Sequence, residues 1–184
     1  MASFFVANIL SIHAKKMIQG NDLQERVARA MLKVIADVRI ESLDEFDRNF
    51  TRRGFFTDAW KRKKHDDGHP ILMKTGTLRR SIVAQQTGTS LEFGSSEKYA
   101  VIHNNGGEIH VTAKMKRYFW AMYQQATGKI SQRKDGTNRK TKKNVQLSAD
   151  AAFYKAMALK KVGSTIVIPK RQFIGMSPQL REAL

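Results

Sequence analysis

Residues 98–112 read "KYAVIHNNGGEIHVT", and their pattern predicts the most definite local structure in the chain. Two apolar runs flank a loop of two asparagines and two glycines. Asn-Gly at the centre of a two-residue loop favours a type I′ turn, because both turn positions need a positive φ. With Asn105 and Gly106 in that turn, His103 would lie opposite Glu108, on the face of the strands away from the core. The stretch therefore predicts a β-hairpin.

Two further β-prone regions complete the predicted sheet. "RRSIVAQQTG" and "SLEFGSS" lie on either side of Thr-Gly-Thr at residues 87–89, a pattern typical of a hairpin. "STIVIP" predicts a last strand, which Pro169 closes because proline cannot donate a ladder hydrogen bond. Together with the first hairpin, these stretches predict an antiparallel sheet of four to five strands.

A long amphipathic helix is predicted near the N-terminus, over residues 20–43. Its apolar residues recur at steps of three and four, so we expect one face to lie on the core. They are Leu23, Val27, Met31, Val34 and Val38. The preceding "FFVANIL" fits a strand or a helical turn equally well, residues 41–76 read as polar and irregular, and Ser177 with Pro178 predicts a short terminal helix. The predicted fold class is α+β, with the sheet packed against the long helix in a single domain over residues 1–184.

A basic helical insertion is predicted before the last strand, over residues 113–163. "AKMKRYFWAMYQQAT" places its large apolar side chains on one helical stripe. "SADAAFYKAMALKK" predicts a second helix with Ser148 as its N-cap. The polar, glycine-containing stretch between the two helices predicts a mobile loop at 128–146.

The positive charge of the chain is concentrated in this insertion. The whole chain has 33 basic and 16 acidic residues, a formal net charge of +17, and between Val111 and Lys161 there are thirteen basic residues against two acidic ones. Such a segment is a solvated face or loop, or a surface for phosphates or acidic proteins. The candidate basic surface consists of Lys129, Arg133, Lys134, Arg139, Lys140, Lys142 and Lys143. Because exposed aromatic residues would add stacking surfaces, a basic DNA-binding protein using residues 113–163 is the alternative function.

No pattern for catalysis or a cofactor stands out. The chain has no cysteine, which excludes disulfides, thiolate metal sites and a cysteine nucleophile. His103, Glu108 and His110 could hold a zinc-like ion, but their spacing is not a known ligand signature and a cross-strand His-Glu pair gives the same residues. We therefore predict no catalytic residue, no metal and no cofactor. No window is apolar enough for a membrane span, and the lysines follow the early apolar stretch, so we expect neither a membrane helix nor a signal peptide.

Four fragments, in this order, carry a resemblance to a known family. They are Trp60 with the basic residues after it and "PILMKTGTLRRSI", then "KYAVIHNNGG", then "KMKRYFWAMY", then "IPKRQFIGMS". Together they resemble the virion morphogenesis family of tailed phages, which includes the G protein of Mu-like phages and tail completion proteins. The family pattern falls on Leu72, Thr75, Gly76, Leu78, Arg79, Ile82, Tyr99, Ala100, His103, Gly106, Gly107, Pro169, Arg171, Phe173, Gly175 and Ser177.

The resemblance implies a non-enzymatic structural or assembly protein of a phage or prophage. It implies tail completion or head-tail joining by protein contacts in a ring of identical copies, with other tail or connector proteins as partners. The charge of the basic insertion adds non-specific DNA contact as a further option. The expected location is the virion, and the host bacterial cytoplasm during assembly. The candidate interaction or structural residues are Trp60, Gly76, Leu78, Arg79, Tyr99, His103, Gly106, Gly107, Glu108, Pro169, Arg171 and Phe173.

Arg171 is the most informative of these candidates. Phe173 beside it is a natural core residue, whereas an arginine near the core needs an acidic partner. Glu97 or Glu108 could supply that partner in a buried ion pair, or the guanidinium could contact another subunit, since it binds a carboxylate through two parallel hydrogen bonds.

Overall fold

A computed structural model of the chain describes residues 2–8, 21–176 and 181, with side chains from residue 23 onward. The described residues form two compact units. Unit 1 comprises the described parts of Met1–Arg62, Pro70–Gly106 and Pro169–Leu184, and unit 2 comprises Lys63–His69 and Gly107–Ile168. The single domain over 1–184 and the insertion bounds 113–163 remain predictions.

Both helices and strands occur in unit 1, and a long N-terminal helix is among them, as predicted. The elements are β1 (Ala2–Asn8), α1 (Asn21–Arg52), β2 (Gly54–Phe55), β3 (Asp58–Ala59), α2 (Thr77–Arg80), β4 (Ile82–Thr87), β5 (Ser90–Ser95) and α3 (Ala100–Asn105). Unit 2 contains β6 (Gly107–His110), α4 (Ala113–Gly128), α5 (Lys142–Ala158) and β7 (Thr165–Ile168).

The described strands form three small sheets, so the prediction of one sheet with four to five strands is wrong. β1, β5 and β4 form a three-stranded antiparallel sheet in that spatial order, while β2 pairs with β3 and β6 pairs with β7. The hairpin of β4 and β5 is confirmed, with Thr87 opposite Ser90 and Gly88 at a φ of 59°. The stretch "FFVANIL" lies in β1 as far as Asn8, and its last two residues lie outside the described residues.

The hairpin predicted at residues 98–112 is wrong. Residues 100–105 form α3, and β6 pairs with β7, so that Gly107 lies opposite Ile168. The Asn-Gly signal has a second meaning, because a glycine with positive φ also ends a helix. Gly106 follows the last residue of α3 with a φ of 75°. Ala100 and Asn104, four residues apart on one face of α3, are both buried.

α1 is longer than predicted and turns a different face to the core. It continues to Arg52, so the prediction of irregular structure is wrong for residues 41–52. Among the predicted core residues only Val38 is buried, whereas Leu23 is 49% exposed and Val34 is 48% exposed. The buried stripe consists of Ile35, Val38, Ser42, Phe46 and Asn49, followed by Phe50.

Aromatic rings fill the core of unit 1. Phe46 of α1 meets Phe93 of β5 edge to face with ring centroids 5.2 Å apart, and Phe50 contacts Phe173 at the same centroid distance. Each fully buried phenylalanine contributes about 1.5–3 kcal/mol of transfer free energy. The C-terminal segment that carries Phe173 is therefore anchored to α1.

Unit 2 is built on the packing of α4 against α5. The helix predicted from "AKMKRYFWAMYQQAT" is confirmed, and Phe119 of α4 stacks on Tyr154 of α5 with centroids 6.4 Å apart. α5 begins at Lys142, so the prediction of Ser148 as N-cap is wrong. The N-cap is Thr141, whose Oγ1 accepts a hydrogen bond from the Asn144 N–H at 3.2 Å.

Two further sequence predictions concern the C-terminal helix and the membrane. The terminal helix predicted from Ser177 and Pro178 lies outside the described residues. Among the helices that are described, none is both long enough and apolar enough to cross a membrane.

Candidate interaction site

Residues Arg171–Ile174, here called the clamped segment, are held in unit 1 largely by side chains. They lie beyond β7 in no described strand, yet Arg171, Phe173 and Ile174 are buried. Buried backbone N–H and C=O groups need hydrogen-bond partners. The partners come from α1, α3 and the neighbourhood of Trp60.

Asn104 of α3 supplies two of these hydrogen bonds. Its Oδ1 accepts from the N–H of Phe173 at 2.9 Å and from the N–H of Ile174 at 3.0 Å. Its Nδ2 donates to Oδ1 of Asn105 at 3.0 Å, and Asn104 is only 4% exposed. The sequence prediction placed this asparagine in a hairpin loop and missed its role.

Asn49 of α1 supplies another hydrogen bond and was also missed. Its Nδ2 donates to the Phe173 carbonyl at 3.2 Å, while its Oδ1 accepts from the Phe56 N–H at 2.9 Å. The signal was present in the sequence, because Asn49 lies three residues after Phe46 on the buried stripe of α1. The helix predicted over residues 20–43 ends before Asn49, so the sequence prediction does not include this residue.

Trp60 joins the aromatic core to the same segment. Its Nε1 donates to the Gln172 carbonyl at 2.7 Å, and its ring meets Phe50 edge to face with centroids 5.6 Å apart. A cleft of about 210 Å³ lies beside the ring. It is lined by Phe55, Asp58, Ala59, Trp60, Lys170 and Gln172.

Arg171 is buried, and among the described residues it has no acidic partner. Its backbone N–H donates to the His103 carbonyl at 2.8 Å, and its Nε donates to the Lys61 carbonyl at 3.0 Å. The residue is 8% exposed, and no carboxylate of the described residues forms an ion pair with it. The intramolecular pair with Glu97 or Glu108 is therefore not formed. Burial lowers the pKa of the guanidinium from its usual value.

His103 of α3 lies beside Arg171. Its Nδ1 is buried and has no hydrogen-bond partner in the described part of the chain. Burial, and then the charge of Arg171, lower the pKa of the imidazole, so the ring is neutral near pH 7. The predicted pairing of His103 with Glu108 is wrong, because Glu108 lies on β6 opposite Val167 and is exposed. Tyr99 meets the His103 ring edge to face with centroids 6.0 Å apart.

Gly106 and Pro169 are the residues of unit 1 that flank the long segment of unit 2, residues 107–168. A methyl group on Gly106 would lie 2.9 Å from the Lys170 backbone nitrogen, so only glycine fits at this close approach. Gly107 opens β6, and Pro169 directly follows β7.

The remaining candidates of unit 1 lie on α2 or directly before it. Gly76 precedes this short helix, and Leu78 is buried in the core. Arg79 donates two hydrogen bonds to the Asp47 carboxylate of α1, and these bonds lower the pKa of Asp47. The pair of Arg79 and Asp47 stabilises the contact between α1 and α2. Among the described hydrogen bonds, none joins this pair to the clamped segment.

The seven residues of the candidate basic surface are all exposed and lie in residues 129–143 of unit 2. Gln132 and Asn138 form an antiparallel bridge within this stretch. Elsewhere in unit 2, a site that the sequence did not predict places His65 on the Phe153 ring at 4.4 Å, with its Nε2 at 2.8 Å from Asp150 Oδ1. Within the described residues, no group of three His, Asp or Glu side chains is placed to hold a metal ion.

Comparison with known proteins agrees with the resemblance drawn from the four fragments. No match to a curated protein or to a solved structure was found. The sequence model of the phage virion morphogenesis family, in contrast, matches residues 50–184, a range that contains the clamped segment, α2 to α5 and the basic surface. Because this match covers well over half of the chain, the protein belongs to the phage virion morphogenesis family.

Proposed function

We propose that this protein completes the phage tail or joins it to the head, as a non-enzymatic component that contacts other tail or connector proteins. Its copies form a ring in the virion, which is assembled in the cytoplasm of the host bacterium. The family to which the chain belongs supports a structural or assembly role in a phage particle.

The observation that carries the proposal is the buried Arg171 guanidinium. A buried charge is unfavourable unless it is paired and hydrogen-bonded. Within the described chain, the guanidinium has one hydrogen bond, from Nε to the Lys61 carbonyl. Its two terminal nitrogens are the groups that bind a carboxylate in a bidentate manner. In the proposed assembly, a carboxylate of a neighbouring subunit accepts hydrogen bonds from them.

The N-terminal half of α1 adds a second feature that suits a protein contact. Apolar side chains stand exposed along it and just beyond, including Leu23, Leu32, Val34 and Ile40. With about 3.6 residues per turn, Leu23 and Val34 lie on the same side of α1, whereas Leu32 lies on the opposite side. Burying Leu23 and Val34 against a neighbour would supply the apolar contact that a single charged pair lacks.

Substitution of Arg171 in the phage or prophage that encodes the protein tests the proposal. Particles carrying Arg171→Gln should accumulate as separate heads and tails, because the carboxylate of the neighbour loses its partner. Arg171→Lys should retain part of the joining, since it keeps the charge but not the bidentate geometry. Electron microscopy of negatively stained lysates counts the joined and unjoined particles.

Lys170→Gln is the matched control, because Lys170 is the exposed neighbour and carries the same charge. Its particles should be joined as in the wild type. Thermal melting of the purified variants separates an assembly defect from a folding defect. Normal particles with a folded Arg171→Gln protein would contradict the role of Arg171. Absence of the protein from purified virions would overturn the proposed function and favour the DNA-binding alternative.

A further inference from the structure

Residues 131–139 form a small hairpin with defined hydrogen bonds. The Arg133 N–H donates to the Thr137 carbonyl at 2.7 Å, and the Arg139 N–H donates to the Ser131 carbonyl at 3.0 Å. At the tip, Asp135 Oδ1 accepts from the N–H of Thr137 at 2.9 Å and from its Oγ1 at 2.6 Å. We call residues 129–143 the basic hairpin, since its seven basic side chains flank or lie within this turn.

Asn144 fixes the base of the basic hairpin to α5. Its Nδ2 donates to the Ser131 carbonyl at 2.8 Å and to the Arg139 carbonyl at 2.7 Å, which ties both arms together. Its Oδ1 accepts from the Ser131 N–H at 3.2 Å. Asn144 is 4% exposed, so these bonds are shielded from water. The buried amide of Asn144 therefore fixes the conformation of the loop, and the basic side chains of the loop take no part in these hydrogen bonds.

The positive charges of the basic hairpin are not neutralised within the described chain. None of its seven basic side chains takes part in an ion pair with a described residue. Asp135 is the one acidic residue between Lys129 and Lys143, and its carboxylate is engaged by Thr137. These hydrogen bonds lower the pKa of Asp135. The hairpin presents like charges at close spacing, which is unfavourable without a polyanion.

The composition of the basic hairpin distinguishes between two kinds of polyanion. From Ser131 to Lys143 every residue is exposed and none is apolar. A protein interface usually has an apolar or aromatic centre and few lysines there. Phosphate contacts need only cations and hydrogen-bond donors, which lysine, arginine, glutamine, asparagine and threonine provide. The composition therefore favours a nucleic-acid backbone over an acidic protein.

We propose that the basic hairpin binds the phosphate backbone of double-stranded DNA without sequence preference, in the geometry that Asn144 fixes. This activity goes beyond the proposed joining function and is measurable on the purified protein. Binding to a fluorescently labelled duplex, followed by anisotropy at several salt concentrations, is the assay. The logarithm of the affinity should fall linearly with the logarithm of the salt concentration, with a slope of about −0.9 for each phosphate contact.

Two sets of charge substitutions locate the binding surface. Replacing Arg133, Lys134, Arg139 and Lys140 with glutamine should weaken binding by at least tenfold at low salt and make the salt slope shallower. The matched control removes the same charge from exposed positions of α1, as Arg26→Gln, Arg29→Gln, Lys33→Gln and Arg39→Gln. It should change the affinity by much less. An equal loss in both variants would overturn the proposal, because binding would then follow net charge alone.

Asn144→Leu tests the fixed geometry, since it leaves every charge in place. It should weaken binding several-fold while the helical circular dichroism signal of the protein is retained. Wild-type affinity in a folded Asn144→Leu protein would overturn the proposal. Polyglutamate at equal charge concentration should not displace the duplex. Displacement would overturn the proposal in favour of an acidic protein partner, as would the absence of any binding to the duplex at low salt.

Discussion

At the scale of the residue, Asn104 supplies backbone hydrogen bonds to the clamped segment. Most extended segments receive such bonds from a neighbouring strand. One side-chain oxygen accepts from two successive backbone N–H groups, those of Phe173 and Ile174. Asn49 adds a donor for the Phe173 carbonyl. Because unpaired backbone groups are costly in a core, these two amides allow the segment to be buried outside a sheet.

We predict that Asn104→Leu lowers the free energy of unfolding by about 2–6 kcal/mol, because two buried N–H groups lose their acceptor at about 1–3 kcal/mol each. Urea denaturation measures the change. Asn105→Ala is the control, since Asn105 is exposed and accepts a single hydrogen bond from Asn104. It should lower the free energy of unfolding by about 1 kcal/mol or less. Equal losses in the two variants would contradict the prediction.

Sequence patterns reveal some residues of this site and conceal others. Phe173 could be predicted as a core residue because a large aromatic side chain has few other stable positions. The two asparagines could not be identified in the same way, because an amide suits a turn, a helix end or a buried clamp. Which of these roles each asparagine takes depends on its contact with the clamped segment, which lies far along the chain from Asn49 and Asn104.

At the scale of the element, Asn105-Gly106 illustrates how a local signal can fit two structures. A positive φ at glycine suits a type I′ turn and also a helix end. The alternation of residues 108–111 predicts the buried face correctly, since Val111 is buried while Glu108 and His110 are exposed. Alternation shows which face of a strand is buried but does not identify the strand that pairs with it. The partner, β7, lies beyond both α4 and α5 in the sequence.

We predict that Gly106→Ala lowers the melting temperature, because alanine is disfavoured by about 1 kcal/mol or more at this positive φ. The close approach of the Lys170 backbone adds to the cost. Gly128→Ala is the control, since Gly128 ends α4 with open space around it and alanine is a better helix former. Its melting temperature should stay the same or rise. A Gly106→Ala protein as stable as the wild type would contradict the assigned geometry.

Elements with strong local patterns were predicted better than those that depend on distant contacts. α4 and the β4–β5 hairpin follow from residues that are neighbours in sequence, and both are present. For α1, periodicity predicted a helix correctly but chose the wrong face. Apolar residues line more than one side of α1, and contacts with β5 and the clamped segment determine which side is buried.

At the scale of the whole molecule, the long segment of unit 2, residues 107–168, begins and ends at closely spaced points of unit 1. The chain departs after Gly106 and returns at Pro169, where the backbone of Lys170 lies against Gly106. Within unit 2, β6 and β7 pair directly after these points. The fold class could be predicted as a mixture of helix and strand, but not the division into three small sheets, because that depends on pairings across the entire chain.

We predict that replacing residues 107–168 with a short glycine-serine linker leaves unit 1 able to fold, because the core and the clamped segment of unit 1 lie outside the replaced range. The shortened protein should show a single cooperative thermal transition and should lose the duplex affinity proposed for the basic hairpin. Adding Asn104→Leu to it should lower the transition temperature, as in the full chain. A shortened protein without a cooperative transition would contradict the prediction.

The paired departure and return of the chain at β6 and β7 also has a consequence for evolution. A gene segment encoding the residues between these strands can lengthen, shorten or be exchanged by recombination. The pairing of β6 with β7, together with Gly106, still holds the first and last residues of the segment next to each other. Insertions at such surface points are tolerated far better than insertions within a core. Phage genomes that differ in the size of this region should therefore still encode the same unit 1. Selection would then act separately on unit 1 and on the residues between β6 and β7.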